Sequence, residues 1–189
     1  AKTLREVKAI LNSGEIIINN NLIKDYKFAV GIMDNIQVKK TNESFRLIIN
    51  EHNKYELKKI SNEDSKIKLC KIINKNILKK GKIQLNLFDG RNILVDNNNY
   101  KVGDTILIDL EKNKIIHHIK LEKGSTIYIM DGKYIGYIGK LQDVLLEDGM
   151  KSNKIIFTKG KEKIETLKDY AFAIPEDLFR KWIPCKTLG

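Results

Sequence analysis

The sequence predicts a mainly β chain with one short N-terminal helix, divided into small modules. Three observations carry that expectation. Short runs rich in Ile, Val and Leu alternate with polar residues at a period of two. Turn formers separate these runs at short intervals, among them Asp89-Gly90 and Asp131-Gly132. A clear helical stripe stands near the N-terminus, ahead of the first strand pattern.

That stripe covers residues 3–12, where Leu4, Val7, Ile10 and Leu11 share one face and Lys2, Arg5 and Lys8 lie on the other. Ser13-Gly14 ends the helix, glycine being suited to the left-handed position that follows one. A strand over residues 15–18 meets the turn formers Asn19-Asn20-Asn21, and another strand is expected at 35–38. Residues 39–43 are polar and read as a linker, so the first module is taken as 1–40. The chain opens at Ala1 without Met, inside the helical pattern, which is the expectation for a trimmed N-terminus.

The central module, residues 41–122, opens with an alternating stretch at 45–49. Ile83, Leu85 and Leu87 alternate with Gln84, Asn86 and Phe88, the pattern of a half-buried strand. The Asp89-Gly90 turn returns the chain through residues 92–95. Val102-Gly103-Asp104 starts a strand with Ile106, Ile108 and Leu110 on one face, and Ile115, His117 and Ile119 lead back. Such strands spell a small antiparallel barrel or sandwich, and the central module is taken as a β-barrel. The third module, 123–174, has expected strands at 126–130, 134–141, 154–158, 163–167 and 170–174, enough for an SH3-like β-barrel. Pro175 releases a tail, 175–189, whose first part is expected to be helical.

Lys and Arg number 35 against 24 Asp and Glu, a formal charge of +11 spread along the whole length. An apolar fraction of 42% argues against a disordered basic tail, so the charge belongs to folded modules. Such a balance favours a polyanionic partner, nucleic acid or an acidic membrane surface. Cys70 and Cys185 lack metal-binding spacing and predict a reduced, intracellular chain. No apolar run is long enough to cross a bilayer as a helix.

The most specific local pattern is Gly132-Lys133-Tyr134-Ile135-Gly136-Tyr137-Ile138-Gly139-Lys140. Its glycines permit close backbone approach in a curved strand, while its basic and aromatic residues suit phosphate, sugar and base. The competing reading is that the glycines only shape a barrel corner and the tyrosines are core. The run resembles the KOW motif of ribosomal proteins and NusG-type elongation factors. A KH-type GXXG loop is rejected, because the run lies between strand patterns. The opening Arg5-Glu6-Val7-Lys8-Ala9-Ile10-Leu11, with Gly14 and Ile16-Ile17-Ile18-Asn19, resembles the end of an S-four-type RNA-binding domain. That domain's earlier helices are missing, so the first module reads as partial.

Order adds what single motifs lack. Tyr26-Lys27-Phe28-Ala29-Val30-Gly31-Ile32-Met33-Asp34 is followed by Lys68-Leu69-Cys70-Lys71-Ile72, and then by the run from Gly81 through Asp89-Gly90-Arg91-Asn92. Tyr100-Lys101-Val102-Gly103-Asp104 and the glycine run complete the series. Together they closely resemble the S-four-e family of archaeal and eukaryotic small-subunit ribosomal proteins, over nearly the whole chain. Ala29 stands where that family usually has Pro. The resemblance implies a structural, non-enzymatic constituent of the small ribosomal subunit, located in the cytoplasm and supporting assembly and translation. Its implied partners are small-subunit rRNA and neighbouring ribosomal proteins, with no membrane, small-molecule substrate, cofactor or metal.

Charge and motif select the candidate RNA contacts. They are Lys2, Arg5 and Lys8 on the helix; Lys79, Lys80, Lys82 and Arg91 in the centre; and Lys133, Tyr134, Tyr137 and Lys140 in the glycine run. Trp182, beside Arg180 and Lys181, is read either as a stacking residue or as an anchor for the tail. His117-His118 lies in a β pattern, so the rings should point to opposite faces, unsuited to a shared metal or an acid/base pair. No Walker A, His-Glu-x-x-His or Gly-x-Ser-x-Gly pattern is present. A NusG-type elongation factor would need its own domain ahead of the barrel. A pseudouridine synthase, sometimes joined to an S-four-type domain, would need a larger α/β catalytic domain.

Overall fold

The computed structural model describes residues 1–145, 153–160 and 162–176. The helix α1 spans Leu4–Asn12, and Thr3 caps it, its hydroxyl accepting from the Glu6 N–H at 3.2 Å. The Glu6 carboxylate in turn accepts from the Lys2 backbone N–H at 2.7 Å, so both ends of this cap are satisfied. Gly14, at φ +75, follows the C-cap in the left-handed conformation.

The first sheet holds β1 (Ile16–Ile18), β2 (Asn21–Leu22), β3 (Asn35–Val38), β4 (Glu43–Ile49) and β5 (Tyr55–Ile60). Their order is β2-β1-β3-β4-β5, all neighbours antiparallel. Ile18 pairs with Asn21 across Asn19 and Asn20, both at positive φ (49 and 69), the two-residue turn that matches strand twist. The expected linker at 39–43 holds the turn of a hairpin, across which Val38 of β3 pairs with Glu43 of β4. The stretch 45–49, read from sequence as the start of the central module, hydrogen-bonds to β3 and extends the first sheet.

The second sheet holds β6 (Ile67–Ile77), β7 (Ile83–Leu87), β8 (Asn92–Val95), β9 (Thr105–Asp109) and β10 (Lys114–Ile119), in the order β10-β9-β6-β7-β8. The 11-residue β6 serves two ladders, pairing with β9 through its first half and with β7 through its second. A register shift between Ile72 and Asn74 marks the changeover, where a bulge bends the strand and curls the sheet.

The third sheet holds β11 (Thr126–Ile129), β12 (Ile138–Leu145), β13 (Lys154–Lys159), β14 (Glu162–Leu167) and β15 (Ala171–Ala173). Four strands form a meander and β15 returns to pair with β11, giving the order β14-β13-β12-β11-β15. The expected strand 134–141 begins later, at Ile138. Gly132 and Gly136 take φ +81 and +78, so residues 131–136 form turns that carry Tyr134 in a loop.

Strands buried on both faces join the three sheets. Ile127 and Ile129 of β11 point into the core of the third sheet, with Leu141, Ile155 and Phe157. The alternate residue Tyr128 points the other way, into a core shared with Met33, Ile49, Leu69, Leu107 and Phe172. On β9, Ile106 and Ile108 face the central core while Leu107 faces the shared one. The molecule therefore has a core for its second sheet, another for its third, and one that all three sheets build together.

Candidate nucleic-acid interface

Polar contacts at this three-way junction decide which cations remain for a ligand. Arg46, on β4, is wholly buried. Its Nε donates to Asn35 Oδ1 at 2.8 Å, and a terminal nitrogen donates to the Asp64 and Ile67 carbonyls at 2.9 Å each. Asn35 adds bonds of its own to the Ser65 and Ile67 carbonyls. First and second sheets are thereby tied through the backbone oxygens of Asp64, Ser65 and Ile67. Burial pulls the Arg46 guanidinium down to about 9, with the Asp64 carboxylate opposing.

Lys68 and Lys71 lie on β6 and serve opposite directions. Lys68 sits 2.7 Å from both Asp34 and Asp89. Burial works against its charge, but the carboxylates outweigh that and hold Lys68 above its ordinary value. For Asp89, burial acts upward and is overcome by Lys68 and Arg91, which keep its carboxyl low. The Lys71 ammonium donates to the carbonyls of Lys168, Asp169 and Ala171 at 3.2, 2.6 and 2.7 Å, reaching the single-turn helix Lys168–Tyr170 ahead of β15. Its burial lowers it to about 8. Cys70, between them, is buried and free, and burial pushes its thiol up.

These three cations were not among the expected contacts, and sequence did hold a signal for them. Lys68 and Lys71 interrupt an apolar run, Leu69-Cys70 and Ile72, in which both strand faces are buried. A lysine there needs oxygen partners close by.

The candidate contacts are placed on the helix and on the second and third sheets. Lys2, Arg5 and Lys8 are exposed on α1, and Lys8 Nζ stands 4.6 Å from the centre of the Tyr26 ring. Lys79 and Lys82 are exposed at the turn between β6 and β7; the Lys80 side chain lies outside the description. Arg91 is half-buried, its Nε 3.3 Å from Asp89, so part of its charge is already matched.

In the glycine run, Lys133 is exposed with its Nζ 5.4 Å from the Tyr134 ring centre. Tyr134 and Tyr137 are half-buried against the third core, ring centres 5.7 Å apart, and Lys159 Nζ stands 3.5 Å from the Tyr137 ring centre. Lys140 pairs with Glu176. The glycines themselves serve close approach. A Cβ on Gly136 would stand 2.3 Å from the Asn50 carbonyl, and one on Gly139 would stand 2.2 Å from the Thr158 oxygen. Lys159, which sequence reasoning passed over, also reaches Glu51 at 2.8 Å. Trp182, Arg180 and Lys181 fall outside the described residues.

The two histidines divide as strand periodicity predicts. His117 is exposed, while His118 turns inward, 2.7 Å from Asp104 and against the Tyr100 ring. Among the described residues no group of three or more His, Cys, Asp or Glu side chains is arranged to hold a metal ion.

Comparison with known proteins agrees with this architecture. The profile of ribosomal family S4e matches residues 41–115, from the linker ahead of β4 into β10. The chain is 37% identical over 175 residues to the small ribosomal subunit protein eS4 of Archaeoglobus fulgidus, covering 92% of this chain and 73% of that one. It is 38% identical over 177 residues to the protein of the same name from Nanoarchaeum equitans, covering 94% and 75% respectively. The crystal structure of the 30S ribosomal protein S4e from Thermoplasma acidophilum superimposes with a TM-score of 0.78 at 32% identity, over 90% of this chain and 85% of that one. With one fold and extended sequence identity across all three sheets, the chain belongs to ribosomal family S4e.

Proposed function

We propose that this chain is a structural, non-enzymatic constituent of the small ribosomal subunit in the cytoplasm, where it binds small-subunit rRNA and touches neighbouring ribosomal proteins. One observation carries the rRNA part. The buried cations Arg46, Lys68 and Lys71 are spent on holding the sheets together, whereas Lys2, Arg5, Lys8, Lys79, Lys82 and Lys133 are exposed on the body so formed. Cations spaced on a rigid frame can meet phosphates at fixed separations, so position is set without ordering each module separately. The relatives' name, small ribosomal subunit protein, supports the same setting.

Mechanistically, the exposed lysines and arginine neutralise phosphates and release counterions. Lys133 sits at the tip of the β11–β12 loop, above tyrosines packed into the third core, so its position is fixed from below. Lys140 is matched to Glu176 and the Nε of Arg91 to Asp89, so these two add less net charge to the surface than the exposed lysines. The test is co-sedimentation of the chain with small ribosomal subunits, followed by cross-linking. The reading expects stoichiometric binding with cross-links to rRNA from α1, the Lys79–Lys82 turn and the Lys133 loop. Sedimentation only at the top of the gradient would overturn it.

A further inference from the structure

Between the first and second sheets lies a cavity of about 370 Å3, lined at its exposed part by Phe28 and Phe88 and at its buried part by Asp34, Lys68, Asp89 and Arg91. The two phenylalanines are 45% and 50% exposed. Large rings left open beside a charged pocket, on a protein otherwise rich in Lys and Asn, are a surface awaiting a partner. The volume lies in the range of small-ligand sites.

The hydrogen-bonding positions left in this cavity define the partner. Asp34 Oδ1 receives Lys68 and the Asn19 side-chain amide, and Oδ2 receives the Gly31 N–H at 2.7 Å. Asp89 Oδ2 receives Lys68 and Arg91, with the Cys70 thiol at 3.4 Å, and Oδ1 receives the Arg91 N–H at 3.2 Å. A carboxylate offers about four accepting positions, so Asp34 Oδ2 and Asp89 Oδ1 can each take a further donor. An ionised carboxylate has no proton to give, so the ligand must present N–H or O–H donors. Arg91 commits its Nε to Asp89, leaving its terminal nitrogens for an anion. An aromatic face, an N–H edge and an attached phosphate are the three parts of an unstacked nucleotide.

We propose that this cavity takes one unstacked RNA base bearing an exocyclic amino group, stacked on Phe28 or Phe88 with its amino edge toward Asp34 and Asp89 and its phosphate toward Arg91. The inference rests on the rRNA-binding reading and adds a base-selective site to it. Guanine, adenine and cytosine meet the requirement. Uracil has no exocyclic amino group, and its single edge donor, N3–H, lies between two carbonyls that would face the carboxylates.

The test uses the full chain and pentaribonucleotides of uridine whose central residue is guanosine, adenosine, cytidine or uridine, with binding followed by fluorescence anisotropy at low salt. The expected result is weaker binding of the all-uridine probe. At least one of Phe28→Ala and Phe88→Ala should weaken the amino-bearing probes roughly 5-fold or more and leave the thermal midpoint unchanged, because both rings are already half in water. Phe88→Trp should retain binding. Equal affinity for all four probes, or alanine variants that bind as the parent does, would overturn the pocket. An rRNA fragment that binds while every pentanucleotide fails would also overturn it, leaving the broader reading in place. Failure of all RNAs would overturn both.

Discussion

The Tyr128 hydroxyl donates to the Ile49 carbonyl at 2.6 Å and accepts from the Ile49 N–H at 2.9 Å, so a side chain of the third sheet completes the backbone of the first. Burial pushes this hydroxyl's pKa up, with its bond to Ile49 opposing, and the proton it donates stays in place at neutral pH. Tyr128→Phe would leave both backbone groups of Ile49 without partners in a dry site. The expected cost is about 1–3 kcal/mol, read as a lower midpoint in urea with the transition still single. An unchanged midpoint would mean water replaces the hydroxyl.

Lys71 predicts a stability that rises with alkaline pH. Its folded pKa of about 8 lies below the ordinary 10.5. Between those values the unfolded chain holds more protons than the folded one, so folding gains as pH increases through the window. The full effect is roughly 3 kcal/mol. Other groups titrate there too, so the measurement is the difference in slope between the parent and Lys71→Met from pH 8 to 10. The variant should be less stable throughout, with a flatter profile.

Asp89 predicts the opposite end of the scale. Lys68 and Arg91 hold its folded pKa below the unfolded value, so its contribution is complete above the unfolded pKa, about 4, and disappears as pH falls through the folded one. Asp89→Asn should lower stability at pH 7 and reduce the loss seen on acidification. A variant with the parent's acid profile would show that Lys68 is balanced by Asp34 alone.

Gly136 and Gly90 separate close approach from backbone conformation. Both have positive φ, +78 and +84, yet a Cβ on Gly136 meets the Asn50 carbonyl at 2.3 Å while one on Gly90 meets nothing within 4 Å. Gly90→Ala should cost only the left-handed strain, about 1–2 kcal/mol. Gly136→Ala should cost clearly more, because the peptide at Asn50 and Glu51 must move away. Equal midpoints in thermal denaturation would contradict the packing.

What was legible in the sequence was mostly local. The turn at Asn19-Asn20 and the alternation of Ile83, Leu85 and Leu87 depend on neighbours a few residues apart, and each has its residue signature. The pairing of β4 with β3 across the polar stretch at residue 40 depends on which edge is open after folding, which no local pattern states. The same holds for the glycine run. Its spacing drew attention to Tyr134 and Tyr137, but Gly136 is required by Asn50, a residue more than eighty positions away in the chain. Counting lysines as surface charge also hid Lys68 and Lys71, whose partners come from the Asp89 turn and from the segment after β14.

On the proposed reading, exposed cations on the three-sheet body hold rRNA through its phosphates. The most direct measurement is the affinity of the chain for a small-subunit rRNA fragment as salt is raised from 50 to 200 mM. The expected result is a linear fall of log affinity with log salt, amounting to about tenfold or more over that range. A shallower slope is expected for a chain carrying Lys79→Ala, Lys82→Ala and Lys133→Ala. An affinity that stayed level across the range would contradict it.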